Sequence, residues 1–236
     1  MFGEQTMMPV TQHPLNIVLL GPPGAGKSTI AEALIAQHRM IPISTGQLLR
    51  SEIKARSALG RIVAGIIDRG NLAPDSLMDR VLRASLDTLD PHEGILLDGY
   101  PRTMHQALGL GLTLADYGRT LDLVMALDIS DEVVVRRLSG RRMCEGAGEP
   151  FPIHIDDLAS TLRCRERGGT AVLREDDKPE VVQQRLTVYH EQTRPLMEFY
   201  AAEGLLHRID ASDPPASIVR RVLAVLDQIS SPAERY

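Results

Sequence analysis

The chain has few of the features that mark a membrane protein, a nucleic-acid-binding protein or a small disulfide-stabilised domain. Its 236 residues include two cysteines, no tryptophan and 3% aromatic residues, and the net charge is −5. An acidic chain with no basic run lacks the electrostatic footprint that nucleic acid requires. No apolar run is long enough to cross a bilayer. These absences exclude nucleic acid and membrane lipid as expected partners.

Cysteine usage and the two ends of the chain bear on where the protein works. Cys144 and Cys164 are too few for a disulfide scaffold, so we expect a reducing compartment and a cytoplasmic protein. Residues 1–14 lack the basic start and apolar stretch of a signal peptide and are expected to form a loose extension. Residues 230–236 are expected to be frayed.

Short apolar runs alternate with helical stretches along most of the chain. Such alternation predicts an α/β fold in which helices cover both faces of a parallel sheet. At 43% hydrophobic residues, the chain can bury one sizeable core. The sheet is expected to have five strands, at residues 15–20, 41–44, 94–98, 121–128 and 205–210.

Other signals predict where helices begin and end. A helix is expected from Lys27 to about His38, Gly70 should end another, and Pro74 should begin the next. Between Arg141 and Arg174 the sequence is rich in glycine and charge and has little periodicity. This stretch is expected to form a separate segment inserted between a strand and a helix.

The clearest motif is "GPPGAGKST", which follows the first predicted strand and precedes the first predicted helix. Gly21 to Ser28 fit the phosphate-binding pattern G-x-x-x-x-G-K-[ST]. Its glycines let consecutive backbone N–H groups face an anion, Lys27 can reach the outer phosphates, and a Ser28 or Thr29 hydroxyl can serve Mg²⁺. The motif predicts binding of a nucleoside triphosphate. It leaves GTPase, ATPase, sugar kinase and nucleotide kinase open.

A second motif, "LLDGYPRT", suggests what receives the phosphate. Asp98 ends a predicted strand at the edge of the sheet where ligands bind, and a carboxylate there suits Mg²⁺. Arg102 follows a glycine and a proline that fix the backbone. "ISTGQLLR" adds Thr45 and Arg50 beside the second strand. Clustered arginines favour an acceptor that is itself an anion, because the planar guanidinium pairs bidentately with phosphate.

Five motifs in order resemble the adenylate kinase family. They are "GPPGAGKST", "ISTGQLLR", "LLDGYPRT" followed by Gln106, "RRLSGRR" and "REDDKPEVVQQRL", and the likeness runs from Ile17 to about Val219. The chain departs from the family at Ser28, where glycine is usual. Serine at this position is common in P-loop proteins and supplies a hydroxyl on the Mg²⁺ side.

The resemblance implies a P-loop three-layer fold carrying two excursions. The core would comprise residues 1–43, 74–140 and 178–236. A helical arm that binds the nucleoside monophosphate would span 44–73, and a mobile lid would span 141–177; we use the names arm and lid for these two segments. Family members are typically monomeric.

The resemblance also implies the site residues, most of which are arginines or backbone of the two phosphate-binding loops. The catalytic residues would be Lys27, Asp98, Arg102, Arg141, Arg174 and Arg185. ATP would contact Gly24, Ala25, Gly26, Lys27, Ser28, Thr29, Arg137, Arg141, Phe151 and Asp213. AMP would contact Thr45, Arg50, Asn71, Leu72, Ala73, Gly99, Tyr100, Pro101, Arg102, Gln106, Arg174 and Arg185. Gln106 would read the adenine edge, and Asp176 and Asp177 would hold the closed lid.

Some lids of this family carry four zinc ligands, and here only Cys144 and Cys164 stand at the corresponding positions. Ala147 cannot coordinate a metal ion and Arg167 would repel one, so no structural zinc is expected. Arg167 is expected to pair with Glu145 or Glu149. His154 as a substitute ligand is the less favoured interpretation.

The leading interpretation is reversible, Mg²⁺-dependent transfer of a phosphoryl group from ATP to AMP, giving two ADP. A monophosphate oxygen is already ionised at neutral pH and needs cations around it rather than a base, which fits six arginines and Lys27. Two alternatives are kept. One is a kinase for another monophosphate, such as UMP or CMP; the other is a nucleotide-binding module without transferase activity.

Overall fold

A computed structural model describes residues 14–38, 40–146 and 148–230. The predictions for the chain ends concern residues that lie almost wholly outside these ranges. Within them, the five predicted strands are confirmed, at β1 (Asn16–Leu20), β2 (Met40–Ser44), β3 (Gly94–Asp98), β4 (Leu123–Asp128) and β8 (Leu206–Asp210). They form one parallel sheet in the order β2-β3-β1-β4-β8.

Helices cover both faces of this sheet, as a parallel sheet with continuous apolar strands requires. Because side chains alternate along a strand, Val18 and Leu20 face one apolar cluster while Ile17 and Leu19 face the other. The helices of the core and arm are α1 (Lys27–Gln37), α2 (Thr45–Lys54), α3 (Ala58–Ile67), α4 (Asp75–Leu86), α5 (Met104–Asp116), α6 (Asp131–Gly140), α8 (Pro179–Val188), α9 (Leu196–Ala202) and α10 (Pro215–Ser230).

The predicted helix boundaries agree closely with the structure. The helix predicted from Lys27 is α1, Gly70 has a positive φ of 80° in the turn after α3, and Pro74 is the N-cap of α4. A π-helical turn, Tyr189–Thr193, follows α8 and precedes α9.

The lid has its own small sheet, which is antiparallel and separate from the core sheet. Its strands are β5 (Arg141–Glu145), β6 (Phe151–His154) and β7 (Thr170–Val172), with α7 (Leu158–Glu166) between β6 and β7. The expected insertion between a strand and a helix was wrong. The lid follows α6, ends in a 3-10 turn at Glu175–Asp177 and leads into α8. The stretch after β4 forms helix α6 because it buries Val134 and Leu138 on one face.

The small number of cysteines led us to expect a reducing compartment, in which disulfides are rare. Cys144 and Cys164 form a disulfide that joins β5 to α7. Both residues are buried in a cluster with Ile153 and Phe151. Two cysteines cannot form a scaffold of several bridges, but the chain reversal between β6 and α7 brings this pair together. Their usage therefore does not indicate a reducing compartment.

No helix in the described ranges is both long and apolar enough to span a membrane.

Candidate functional site

The phosphate-binding loop joins β1 to α1 at the carboxyl end of the sheet. Gly21, Gly24 and Gly26 all have positive φ, a backbone conformation that side chains disfavour. Gly26 is the N-cap of α1, and no side chain bonds to the helix start there. The first N–H groups of α1, which begin at Lys27 and continue through Ser28 and Thr29, can therefore receive an anion.

Lys27 folds over this loop and holds it closed. Its Nζ donates to the carbonyl oxygens of Gly21 and Pro22, each at 2.8 Å. Burial lowers the pKa of Lys27 to about 8, and the nearby guanidinium of Arg102 adds to the decrease while Asp98 opposes it. The lowered pKa therefore reflects first the removal of the ammonium group from water and only then the neighbouring guanidiniums.

Asp98 lies across from the loop, at the end of β3. Its Oδ2 accepts hydrogen bonds from the hydroxyls of Ser28 (3.4 Å) and Ser44 (3.3 Å), so the two motifs found in the sequence meet here. A carboxylate with two hydroxyls is a set of hard oxygen donors of the kind Mg²⁺ prefers. These residues fit a Mg²⁺ ion carried in with a nucleotide.

Four arginines converge on the acidic pair at the end of the lid. Arg141 makes a bidentate bond to Asp177, at 2.7 and 2.6 Å, and Arg174 makes one to Asp176. Arg185 donates to the carbonyl oxygen of Asp176 at 2.7 Å. Arg50 reaches from the arm to within 4.0 Å of Asp176. The sequence therefore predicted a cation cluster that the fold brings together.

The charges within this cluster do not balance. Six cationic side chains face only three carboxylates: Lys27, Arg50, Arg102, Arg141, Arg174 and Arg185 against Asp98, Asp176 and Asp177. Burial and the neighbouring Arg174 lower the pKa of Arg50 to about 10. For Asp176, burial would raise the pKa, but Arg174, Arg185 and Arg50 outweigh it and lower the pKa to about 2. The cluster has room for several negative charges.

A pocket opens between this cluster and the arm. Its lining includes nine of the twelve residues predicted to bind the monophosphate: Thr45, Arg50, Asn71, Leu72, Ala73, Gly99, Arg102, Gln106 and Arg185. Tyr100, Pro101 and Arg174 do not line it. Tyr100 is buried beneath and donates to Asp79 at 2.7 Å. Six further residues line the pocket and were not predicted to do so: Gly46, Leu49, Ile67, Gly70, Met78 and Asp176. The apolar side chains among them lie on α2 to α4, and their sequence pattern does not distinguish a pocket wall from the core.

The chain at Gly99 packs too closely for any side chain. A Cβ built there would lie 2.7 Å from the Thr45 hydroxyl and 2.9 Å from the Arg102 guanidinium, and the residue has a φ of 87°. Its carbonyl oxygen accepts from Thr45 Oγ1 at 2.9 Å and from Arg102 Nε at 2.8 Å. Glycine is therefore required for Thr45 and Arg102 to reach the pocket together.

Three residues that support the pocket escaped the sequence analysis. The Thr193 hydroxyl, in the π-helical turn, donates to the carbonyl oxygen of Arg102 at 2.8 Å. The Ser44 hydroxyl bonds Asp98, as described above. Asp75 accepts from the Gln106 amide at 2.7 Å. Sequence patterns do not indicate such contacts, because each joins residues far apart in the chain.

On the other side of the loop, Arg137 contacts the segment that follows β8. Its guanidinium donates to the carbonyl oxygens of Ala211 (2.9 Å) and Asp213 (3.2 Å), while the Asp213 side chain pairs with Arg221. Arg137 and Asp213, both predicted on the ATP side, are thus neighbours.

In the lid, two guanidiniums cover the Phe151 ring, and one of them belongs to Arg167. The guanidiniums of Arg163 and Arg167 lie over the Phe151 ring, 4.7 and 5.4 Å from its centre. The expected pairing of Arg167 with Glu145 or Glu149 was wrong, since no acidic group of the described residues lies within ion-pair distance of it. The aromatic face of Phe151 supplies the negative potential instead.

The cysteine sulfurs of the lid are bonded to each other, so neither offers a thiolate to a metal ion. Within the described ranges, no cluster of three or more histidine, cysteine or acidic residues could hold a metal.

Comparison with known proteins gives one family. The family model described as "Adenylate kinase" matches residues 19–205. The chain is 43% identical over 213 residues to a protein named adenylate kinase from Acidothermus cellulolyticus, covering 90% of this chain and 98% of that protein. It is 41% identical to one from Salinispora tropica, covering 92% and 100%, and 40% identical to one from Thermosipho melanesiensis, covering 90% and 99%.

Proposed function

The chain belongs to the adenylate kinase family, and we propose that it performs this family's reaction between the P-loop and the pocket beside the arm, moving the terminal phosphoryl group of ATP onto AMP. Its function is that of a nucleoside monophosphate kinase, a phosphotransferase. One observation carries the residue-level proposal. Six cationic side chains lie around the space between the P-loop and the pocket beside the arm. The three carboxylates nearby neutralise only part of their charge.

Phosphoryl transfer between two nucleotides requires this kind of charge. The AMP phosphate is ionised at neutral pH, so its attack on the ATP γ-phosphorus needs no base. What opposes the reaction is repulsion between two polyanions. Lys27, Arg102 and Arg185 would offset that repulsion and stabilise charge on the transferring group. The remaining catalytic arginines, Arg141 and Arg174, would join them from the lid.

The ATP side comprises the loop and the segments around it. Backbone N–H groups from Gly24 to Thr29 would bind the phosphates, with Lys27 on the outer ones. Arg137 and the backbone at Asp213 would hold the adenine, and Phe151 and Arg141 would contact ATP from the lid. Asp98 and Ser28 would hold Mg²⁺, which when bound neutralises phosphate charge.

The AMP side comprises the arm and the "DGYPRT" loop. Arg50, Arg102, Arg174 and Arg185 would bind the monophosphate. Gln106 would bind the base. Backbone and side chains around it complete the pocket: Thr45, Asn71, Leu72, Ala73, Gly99, Tyr100 and Pro101. Asp176 and Asp177 would position the arginines of the closed lid, because both already hold two or more guanidiniums.

We further propose that the arm (44–73) and the lid (141–177) close over these nucleotides and exclude water. The lid contains no structural zinc in this proposal, since its two thiols are used in a disulfide. We also propose that the enzyme is a monomer, as members of this family typically are. We propose a cytoplasmic enzyme because its substrates are free nucleotides.

The test is an acceptor screen. Purified protein is mixed with Mg²⁺ and ATP, and AMP, GMP, CMP or UMP is added separately while diphosphates are measured. ADP formed from AMP at the highest kcat/KM supports the proposal. A higher kcat/KM with UMP or CMP would support the other kinase, and no product with any acceptor would support a nucleotide-binding module.

A further inference from the structure

We propose that Asp75 determines base specificity by fixing which way the Gln106 amide points. The inference rests on the proposed function, in which the pocket lined by Gln106 receives the base of the acceptor nucleotide. Asp75 begins α4 and Gln106 lies in the first turn of α5, so the two helix starts meet beside the pocket. Asp75 is a positioning residue here, because it acts through Gln106.

Both ends of the Gln106 amide are bonded within the protein. Its Oε1 accepts from the backbone N–H of Arg102 at 2.7 Å, and its Nε2 donates to Asp75 Oδ1 at 2.7 Å. The residue is 2% exposed, so water does not compete for these bonds. Asp75 is itself held in place, because Oδ1 also accepts from the Thr103 hydroxyl at 3.0 Å and Oδ2 lies 3.6 Å from His105 Nδ1.

The chemistry of the two partners permits only one orientation of the amide. An ionised carboxylate only accepts hydrogen bonds, and a backbone N–H only donates them. If the amide turned over, its oxygen would face the Asp75 carboxylate and its NH₂ would face the Arg102 N–H. Both contacts would be repulsive, and two buried polar groups would lose their bonds. The amide is therefore locked from both ends.

With these two bonds made, the Gln106 amide has one Nε2–H and one Oε1 lone pair left for a ligand. Their positions relative to each other are fixed. Adenine presents an amino group beside a ring nitrogen acceptor, so it can donate to Oε1 and accept from Nε2. Hypoxanthine and guanine present a carbonyl oxygen beside a ring N–H, which is the reverse order. Cytosine matches adenine in this respect, and uracil matches hypoxanthine. The structure thus favours amino bases over keto bases.

The base cannot correct the mismatch by turning over. Its ribose phosphate would be anchored by Arg50 and Arg102, on the side of the pocket near the lid. A purine that reversed its face while keeping the phosphate in place would have to move its glycosidic bond across the pocket. The amide would have to turn instead, and Asp75 prevents it.

The experiment compares AMP with inosine monophosphate, which differs in presenting a keto group and a ring N–H. We measure kcat/KM for each acceptor with Mg²⁺-ATP, and equilibrium binding of each in the absence of ATP. The wild-type protein should prefer AMP at least about 100-fold, as expected where a site is built around hydrogen bonds. Asp75→Asn, which can donate as well as accept, should lower this preference about tenfold.

Two further variants separate positioning from structural support. Asp75→Glu keeps a group that only accepts, so it should retain the preference even if both rates fall. Asp87→Asn makes the same chemical change at the other end of α4, where the carboxylate bonds Tyr117, and should leave the preference unchanged. Circular dichroism confirms that each variant is folded.

The outcomes are distinguishable from failure of the proposed function. If the wild-type protein converts AMP but folded Asp75→Asn keeps the wild-type preference, the inference is overturned and the proposed function stands. Equal shifts in Asp75→Asn and Asp75→Glu also overturn it, since packing would then explain both. Equal kcat/KM for AMP and inosine monophosphate in the wild-type protein would also overturn the inference. Wild type that makes no ADP from AMP overturns the proposed function itself.

Discussion

The core sheet and the lid sheet are held together by different forces. Every residue of β1 and β3 is buried between two large apolar clusters, one on each face. In the lid, all three residues of β7 are exposed and the apolar cluster consists of Ile153 and Phe151 around the two cysteines. Burial of apolar surface stabilises the core, and it cannot do the same for the lid.

The lid compensates with bonds that are local and specific. The disulfide joins β5 to α7, and the bidentate pair of Arg141 and Asp177 joins the start of the lid to its end. Such a region can open without unfolding the core, because few apolar contacts are lost. The difference suits an enzyme in which the nucleotide loop must stay rigid while the lid moves.

The largest effect should come from a cavity in the core. Leu97 is fully buried in β3, and Leu97→Ala should lower the free energy of unfolding by about 3 kcal/mol through lost burial and the cavity left behind. Ile153→Ala in the lid should have a smaller effect on the same transition. Denaturant unfolding measures both. Equal losses would show that the lid and core unfold as one unit.

Loss of a catalytic cation should come next. Lys27→Met or Arg102→Ala should lower kcat/KM at least about 100-fold, because each removes charge from the transferring group. The melting temperature should change little. Arg136→Ala, at an exposed position of α6, is the matched control and should keep wild-type activity. Near-normal rates in either test variant would contradict the assigned roles.

Removing the disulfide should loosen the lid alone. A Cys144→Ser, Cys164→Ser double variant, or treatment with reductant, should speed amide exchange in β5 to β7 about tenfold or more, while β1 and β3 are unchanged. Hydrogen exchange read by mass spectrometry separates the two regions. Metal analysis of the untreated protein should find no zinc. Stoichiometric zinc, or exchange that rises equally in both sheets, would contradict this account.

The smallest effect concerns pH. The pKa of Lys27 is lowered to about 8, so the free enzyme loses this charge as pH rises through 8, well below the usual lysine range. The kcat/KM for Mg²⁺-ATP should fall about threefold between about pH 7.5 and 8.5, following one deprotonation. Lys27→Met should lack this step. A wild-type profile that stays flat to pH 10 would argue against the lowered pKa.

Most of the core could be predicted because its signals are local. Strand runs such as "NIVLL" and "GILLD" are apolar throughout, and the glycines of the phosphate-binding loop serve a turn that spans only a few residues. Asp98 could be placed at the end of a strand and Arg102 in the loop that follows it. The P-loop and the "DGYPRT" loop were expected at one edge, since parallel strands present their carboxyl ends together.

One error was local, because helix α6 before the lid was not predicted. The other errors involve contacts between distant parts of the chain. The small number of cysteines was expected to indicate a reducing compartment, and Arg167 was expected to pair with an acidic residue. The disulfide and the contact of Arg167 both depend on how β5, β6 and α7 pack. Gln106 was predicted to bind the base, but its contact with Asp75 was not predicted. The sequence shows an ordinary acidic residue at the start of a helix there, which is commonly a favourable charge near the helix dipole.

Residue order alone decided the fold class, the phosphate-binding loop and the family, because each is encoded in short segments whose backbone needs are met locally. The tertiary structure decided which cysteines form the lid disulfide, which carboxylates bind the arginines and which way the buried Gln106 amide points. Those features depend on distances between atoms that lie tens of residues apart, and only packing sets such distances.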